Sequence, residues 1–303
     1  MNKTFIKKSL ITLFTVVCLF SVWSLSVQAA GVSKVIDYTV NYTTKKPAFK
    51  KDVTGDGKAD TVNLTYTKTD SDYLDKVNVM INGKKAATVD AKYCYGVVVN
   101  YISMSKSKVF LQIYTLTDGD YIVNNGIYKY NKGTKKLKKI LDLNKVSGGS
   151  YIGAMDVTSA SSSQIKLACR VQPPETGCIE FTYTFTYKNG KFVLNSNSVA
   201  AKSMFIRMPG YDQYAKYFKK NQFVAFKTLK FYKDTKLKKV SFTAKEGNIL
   251  KLQKIKISGK KTYVQFKKGT KTGWIRVFND YPVVYPNYDN SGWFHGVIYR
   301  LAG

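Results

Sequence analysis

The chain has 303 residues and a formal net charge of +30, because 49 lysines and arginines outnumber 19 aspartates and glutamates. This length allows two small domains with cores of their own. The single histidine and four cysteines are too few for the usual zinc sites, and any nucleophile activated by histidine would depend on one residue.

Residues 1–29 have the pattern of a cleavable secretory signal peptide. Three lysines and no acidic residue open this segment, and residues 10–22 form an apolar run. Ala29, with Val27 two positions before it, suits signal peptidase and places the cut after Ala29. The apolar run is shorter than the roughly 20 residues of a spanning helix. We therefore expect no transmembrane segment in the mature chain, with a retained anchor as the alternative.

Removing residues 1–29 takes away three lysines and lowers the net charge to +27, nearly all of it from lysine. A strongly positive exported protein associates with polyanions by releasing their counterions. Outside a cell these include teichoic acids, anionic lipids, extracellular DNA and glycosaminoglycans. The alternative is that lysine only solvates a β surface. The scarcity of arginine argues against specific nucleic-acid recognition.

The hydrophobic pattern predicts an all-β protein. Large apolar side chains alternate with polar ones over residues 179–187, which is typical of a half-buried strand. Asn82-Gly83 and Asn189-Gly190 each lie between two such runs and predict type I′ hairpins. We therefore predict three segments after the signal peptide. They are an N-terminal antiparallel domain (residues 30–205, a sandwich or propeller-like sheet), a linker with a short helix (206–221) and a smaller β domain (222–303).

The most specific local pattern is an acidic loop at residues 52–60. Oxygen-bearing side chains fall at loop positions one, three, five and nine, which are Asp52, Thr54, Asp56 and Asp60. Gly57 at position six permits a sharp turn, and Lys58 at position seven offers its backbone carbonyl. This is the spacing by which a loop surrounds a hard cation with oxygen atoms.

The acidic loop resembles the calcium-binding loops of FG-GAP and similar extracellular β-repeat proteins, which read D-x-[DN]-x-D-G-x-x-D before a strand. The resemblance implies a structural Ca²⁺ ion. The chain departs from the pattern at Thr54, where a charge is lost, and at Asn63, where an EF-hand has its bidentate Glu. The alternative is a hairpin loop rich in Asx turns, without metal.

A second resemblance covers residues 222–278. The runs FYKD, KEGN, YVQF and KTGWI follow one another in the order of the motifs of bacterial SH3-like domains. This likeness implies a small β-barrel that attaches to peptidoglycan or another wall polymer. Four aromatic residues are candidates to stack on such a ligand, namely Tyr263, Trp274, Tyr281 and Tyr285. Tyr263 replaces the tryptophan usual in the family, and a core role is the alternative for Trp274.

Three cysteines remain once the signal peptide, which contains Cys18, is removed. Cys169 and Cys178 flank a turn-rich loop between two strand-like runs, so a disulfide between them is one possibility and two buried thiols are the other. Cys94 lies in an apolar run, where we expect an inert buried thiol.

The sequence contains no catalytic constellation. Glutamate occurs only at Glu175, Glu180 and Glu246, and His295 is the sole histidine. We therefore expect a secreted, surface-associated binding protein that is not an enzyme. Its partner would be anionic cell-wall polymer, with other extracellular polyanions also possible. The alternatives are a host- or protein-binding extracellular module and, less favoured, an enzyme of unrecognised type.

Overall fold

The computed structural model describes residues 30–39, 47–69, 73–117, 122–146, 156–204, 212–277 and 292–297. The signal peptide predicted at residues 1–29 lies outside these ranges. Within them the protein is all-β and antiparallel, as predicted, with two short helices. Neither described helix is long or apolar enough to span a membrane.

The first half of the chain contributes nine strands and one helical turn. They are β1 (Gly31–Thr39), β2 (Ala48–Lys51), β3 (Asp60–Lys68), β4 (Leu74–Ile81), β5 (Lys84–Cys94), β6 (Gly96–Ser105), β7 (Lys108–Leu116), β8 (Ile122–Asn131), β9 (Lys136–Asp142) and α1 (Leu143–Val146). They form a four-stranded sheet in the order β2-β3-β4-β5 and a five-stranded sheet in the order β1-β6-β7-β8-β9.

The second half contributes eleven strands and one helix. They are β10 (Asp156–Ala160), β11 (Gln164–Val171), β12 (Ile179–Lys188), β13 (Lys191–Leu194), β14 (Ser198–Ser203), α2 (Asp212–Phe218), β15 (Gln222–Val224), β16 (Leu229–Tyr232), β17 (Val240–Ala244), β18 (Ile249–Ser258), β19 (Lys261–Lys268) and β20 (Lys271–Val277). All eleven strands join one sheet. Its main path is β10-β11-β12-β14-β18-β19-β20-β16-β17, with β13 on β12 and β15 on β18.

The five-stranded sheet is the middle layer of the molecule, because both of its faces are covered. Val97, Val99 and Tyr101 of β6 belong to a core shared with the four-stranded sheet. Ile102 and Met104 belong to a second core, shared with the eleven-stranded sheet. Alternate side chains of a strand point to opposite faces. A nearly continuous apolar run in β6 therefore supplies both cores.

The eleven-stranded sheet is continuous across the position of the predicted linker. Residues 201–203 of β14 pair with β12, and residues 198–200 pair with β18. Asn221 reinforces the junction: its Oδ1 accepts a bond from Ser203 N at 2.7 Å. Its Nδ2 donates to Leu252 O at 2.9 Å. Residues 222–277 thus share a sheet and a core with the strands that precede them.

No sheet in the described residues closes into a barrel, so the small closed barrel predicted for residues 222–303 is not observed in them. The physical reason lies at β18. That strand pairs with β19 on one side, and its other side is taken by β14 and β15. At the far end of the path β17 pairs with β16, and within the described residues it makes no pairing with β15 or β18 that would close the sheet. The predicted short helix corresponds to α2, and residues 206–211 of the linker lie outside the described ranges.

The two Asn-Gly hairpins are confirmed. Asn82 and Gly83 have φ of 49° and 77°, and Asn189 and Gly190 have φ of 51° and 77°. Both central residues of a type I′ turn need positive φ, which Asn and Gly adopt at low cost. The turns join β4 to β5 and β12 to β13.

Gly273 in β20 offers a test of the packing of residues 222–277. A Cβ atom at this position would lie 2.7 Å from Cβ of Phe231, so we expect Gly273→Ala to lower the free energy of unfolding by about 1–3 kcal/mol. Gly31→Ala is the matched control, because nothing lies within 4 Å of the added atom. Urea denaturation of both variants measures the difference, and equal midpoints would contradict this packing.

Candidate functional site

The acidic loop joins β2 to β3 and packs against the five-stranded sheet. Val53 is buried at its base. The hydroxyl of Tyr101, on β6, donates to the carbonyl oxygen of Asp52 at 3.0 Å. Gly55 and Gly57 have positive φ, at 69° and 89°, which lets the chain curl around the Asp52 side chain.

The carboxylate of Asp52 organises the turn. Its Oδ1 accepts hydrogen bonds from Gly55 N at 2.6 Å and Asp56 N at 3.2 Å, and its Oδ2 accepts one from Gly57 N at 2.8 Å. Asp56 accepts a single bond, from Lys58 N at 2.8 Å. Backbone amides therefore neutralise part of the carboxylate charge within the loop.

Asp60 lies at the base of the loop and is almost completely buried, with 3% exposure. Its Oδ2 accepts bonds from Val53 N and Thr54 N, both at 2.8 Å. Its Oδ1 accepts a bond from Nδ2 of Asn82 at 2.7 Å. The acidic loop is thereby tied to the β4–β5 turn through Asn82.

Two observations bear on whether the loop fits calcium. No cluster of three His, Cys, Asp or Glu side chains suited to a metal is found in the described ranges. However, Oγ1 of Thr54, at loop position three, is buried and has no hydrogen-bond partner among the described residues. A carboxylate has about four acceptor positions, so Asp52 and Asp60 each keep one after their three bonds. These oxygen atoms match the predicted ligand positions.

A lysine-lined cleft lies beside the acidic loop. Its volume is about 800 Å³, and its walls come from the β8–β9 hairpin, the β12–β13 hairpin and the acidic loop. Five lysines line it: Lys129, Lys132, Lys138, Lys139 and Lys191. Within the described residues that line the cleft, none is acidic and none is arginine.

Three of these lysines are positioned by uncharged groups. Nζ of Lys129 donates to the hydroxyl of Tyr187 at 3.1 Å and lies over the Tyr187 ring. Nζ of Lys132 donates to the carbonyl oxygen of Gly55 at 3.1 Å. Nζ of Lys139 donates to Oδ1 of Asn124 at 2.8 Å. None of these partners carries a charge. Lys129 and Lys132 bond to residues that also line the cleft, whereas the ammonium group of Lys139 lies over Tyr128, which belongs to the core shared with the four-stranded sheet.

The cleft was not foreseen from the sequence. The sequence feature that could have indicated it is the lysine-rich run NKGTKKLKK at residues 131–139. This run forms the β8–β9 turn and the start of β9. The type I′ turn at Asn189-Gly190 brings Lys191 to the opposite wall. Only the pairing of distant strands places these two segments around one cavity.

The two aromatic candidates within the described residues do not form an exposed platform. Tyr263 and Trp274 have 8% and 9% exposure, and they lie on the neighbouring strands β19 and β20 without being directly opposite. Their burial favours the core role that the sequence left open for Trp274. Tyr281 and Tyr285 lie outside the described residues.

The thiols of Cys94, Cys169 and Cys178 are buried, and the described residues contain no disulfide. The disulfide considered for Cys169 and Cys178 is not formed, because Cys169 lies opposite Phe181 in the β11–β12 register. Burial raises the pKa of Cys169 to about 12 and that of Cys94 to about 11. Both thiols are therefore protonated and poorly nucleophilic near neutral pH.

Comparison with known proteins found no matching family model, no similar curated protein and no similar solved structure.

Asp60→Asn tests the base of the acidic loop. Donors point at both carboxylate oxygens, so the amide group of asparagine would face either Asn82 or the backbone N–H groups of Val53 and Thr54. We expect a loss of about 1–3 kcal/mol in the free energy of unfolding, measured by denaturant in the presence of EDTA. Asp56→Asn is the control, because Asp56 is exposed and makes one local bond. Equal stability of both variants would show that Asp60 does not organise the loop.

Proposed function

We propose that this protein is exported and binds anionic polymer of the cell wall. The observation that carries the proposal is the lysine-lined cleft, which five lysines line and in which no described lining residue is acidic. These five lysines are part of the net charge of +27 that remains beyond the predicted signal peptide. Such an arrangement attracts a polyanion by steering and counterion release.

The few ion pairs of the described residues leave this charge largely uncompensated. The described pairs are Lys34–Asp37, Lys145–Asp142 and Arg170–Glu180, and none of these residues lines the cleft. Neutral oxygen atoms, and no carboxylate, hold the ammonium groups of three of the lysines that line the cleft. Preorganised cations lose less conformational entropy when an anion binds.

Residues 222–303 form a second attachment region in this proposal. The SH3-like motifs fall on β16, β19 and β20 and on the turn before β18, and the segment is rich in lysine. Because Tyr263 and Trp274 are buried, attachment here would depend on charge rather than on stacking by these two rings. Peptidoglycan and teichoic acid are the proposed polymers, and the proposed location is the extracellular face of the envelope.

A structural calcium ion in the acidic loop is part of the same proposal. The Thr54 hydroxyl, the carboxylate of Asp56, the remaining acceptor positions of Asp52 and Asp60, and the backbone carbonyl of Lys58 would hold it. Bound calcium supplies positive charge that offsets repulsion among the carboxylates. The backbone N–H bonds to Asp52 and Asp60 support the loop in either case, so the ion would add stability rather than create the turn.

Retention on purified wall sacculi tests the proposed function. A chain beginning at Ala30 should bind at low ionic strength, and retention should fall at least about tenfold between about 0.05 and about 0.5 M salt, because phosphate contacts release counterions. Sacculi from which the anionic polymers have been extracted are the control. Retention that is absent at low salt, or unchanged across the series, would refute polyanion binding.

Calorimetry with calcium and with EDTA tests the metal proposal. Calcium at about ten times its dissociation constant should raise the melting temperature by about 3 °C, because only the folded loop binds the ion. Thr54→Val should reduce this shift, whereas Thr65→Val, an exposed hydroxyl on β3, should leave it intact. A melting temperature that is the same in calcium and EDTA would remove the metal from the proposal.

A further inference from the structure

We propose that the lysine-lined cleft is selective for a linear phosphodiester polymer without bases, such as a poly(polyol phosphate). This inference rests on the proposed function, because it names the ligand class of a polyanion-binding surface. It goes further in assigning recognition to one cavity and to two particular lysines, Lys138 and Lys191.

Lys138 and Lys191 stand on opposite walls of the cleft. Lys138 belongs to β9 of the five-stranded sheet and Lys191 to β13 of the eleven-stranded sheet, and the two strands are in contact. Both side chains are exposed. Within the described ranges, neither ammonium group makes a hydrogen bond or an ion pair, unlike those of Lys129, Lys132 and Lys139. These two lysines line the cleft and are therefore available to an incoming anion.

The use of lysine alone fits phosphate groups that are contacted one charge at a time. Arginine presents a planar fork that matches carboxylate and phosphate in a bidentate manner, whereas lysine binds phosphate as a compact point charge. Point charges spread along a cleft suit a chain of repeating phosphates, whose negative oxygens can be approached from several directions. A cavity of about 800 Å³ lies within the range of small-molecule sites, so it takes a few repeating units at a time.

The aromatic residues in the cleft disfavour a nucleic acid. Binding of single strands needs aromatic faces on which bases stack. The ring of Tyr187 is already in contact with Phe110 and Phe192, each at 5.0 Å between centroids, and Lys129 lies over it. Phe192 is 7% exposed. Tyr130, the third aromatic residue of the lining, packs against the core shared with the four-stranded sheet. These rings therefore offer little face to a base.

The experiment measures binding of three probes by titration calorimetry in EDTA at low salt. The probes are poly(glycerol phosphate), poly-glutamate and an oligo-dT of equal charge. The test variant is Lys138→Gln/Lys191→Gln. The matched control is Lys76→Gln/Lys166→Gln, which removes the same charge from exposed positions on β4 and β11 outside the cleft.

The wild type should bind poly(glycerol phosphate) at least about tenfold more tightly than the other two probes. The test variant should lose at least about tenfold in affinity for it, and the control less than about threefold, since a lysine close to an anionic surface contributes on the order of a factor of five. The dependence of log Kd on log salt should also become shallower by about two in the test variant, or about one for each lysine removed.

The outcomes separate this inference from the proposed function. If the wild type binds sacculi but both variants lose affinity equally, the binding site is not the cleft and the proposed function stands. If oligo-dT or poly-glutamate binds as tightly as poly(glycerol phosphate), the assigned ligand class is wrong. Wild-type protein that ignores both sacculi and all three probes would overturn the two proposals together.

Discussion

The architecture depends on the burial of both faces of the five-stranded sheet. Residues of β6 and β7 alternate between two cores, so each apolar side chain stabilises one layer or the other. Polar side chains at the centre satisfy one another: Asn100 Nδ2 donates to Gln112 Oε1 and Gln112 Nε2 donates to Asn125 Oδ1, both at 3.0 Å. Gln112 Oε1 also accepts a bond from Val157 N at 2.9 Å, which ties β10 to this sheet. A buried amide ladder of this kind favours one register over its neighbours.

The acidic side chains of the loop and the lysines of the cleft have different kinds of hydrogen-bond partner. The carboxylates of Asp52 and Asp60 accept bonds from backbone N–H groups and an asparagine amide, whereas Lys132 and Lys139 donate to neutral oxygen atoms. Few acids are therefore left to neutralise the lysines. The acidic loop and the lysine-lined cleft meet at Gly55, so the turn that Asp52 organises also shapes one wall of the cleft.

The elements fixed by short-range chemistry could be predicted from the sequence. The Asn-Gly turns need positive φ, and the alternation in β12 and the glycine positions of the acidic loop are local patterns. Features that depend on distant pairing were missed or misread. The register between β11 and β12 places Cys169 opposite Phe181 and away from Cys178. The pairing of β14 with β18 makes residues 222–277 part of a larger sheet. The cleft needs two hairpins from different sheets, which no local pattern indicates.

The shared strand β14 has a mechanical consequence. Its first three residues bond to β18 and its last three to β12, so a pull between the cleft and residues 222–277 is carried through six residues of backbone and through Asn221. A molecule anchored at both regions would transmit tension along this seam. Because one hydrophobic core lies under both sides of the seam, parting the sheet there would also expose that core, so backbone pairing and apolar burial would resist the tension together.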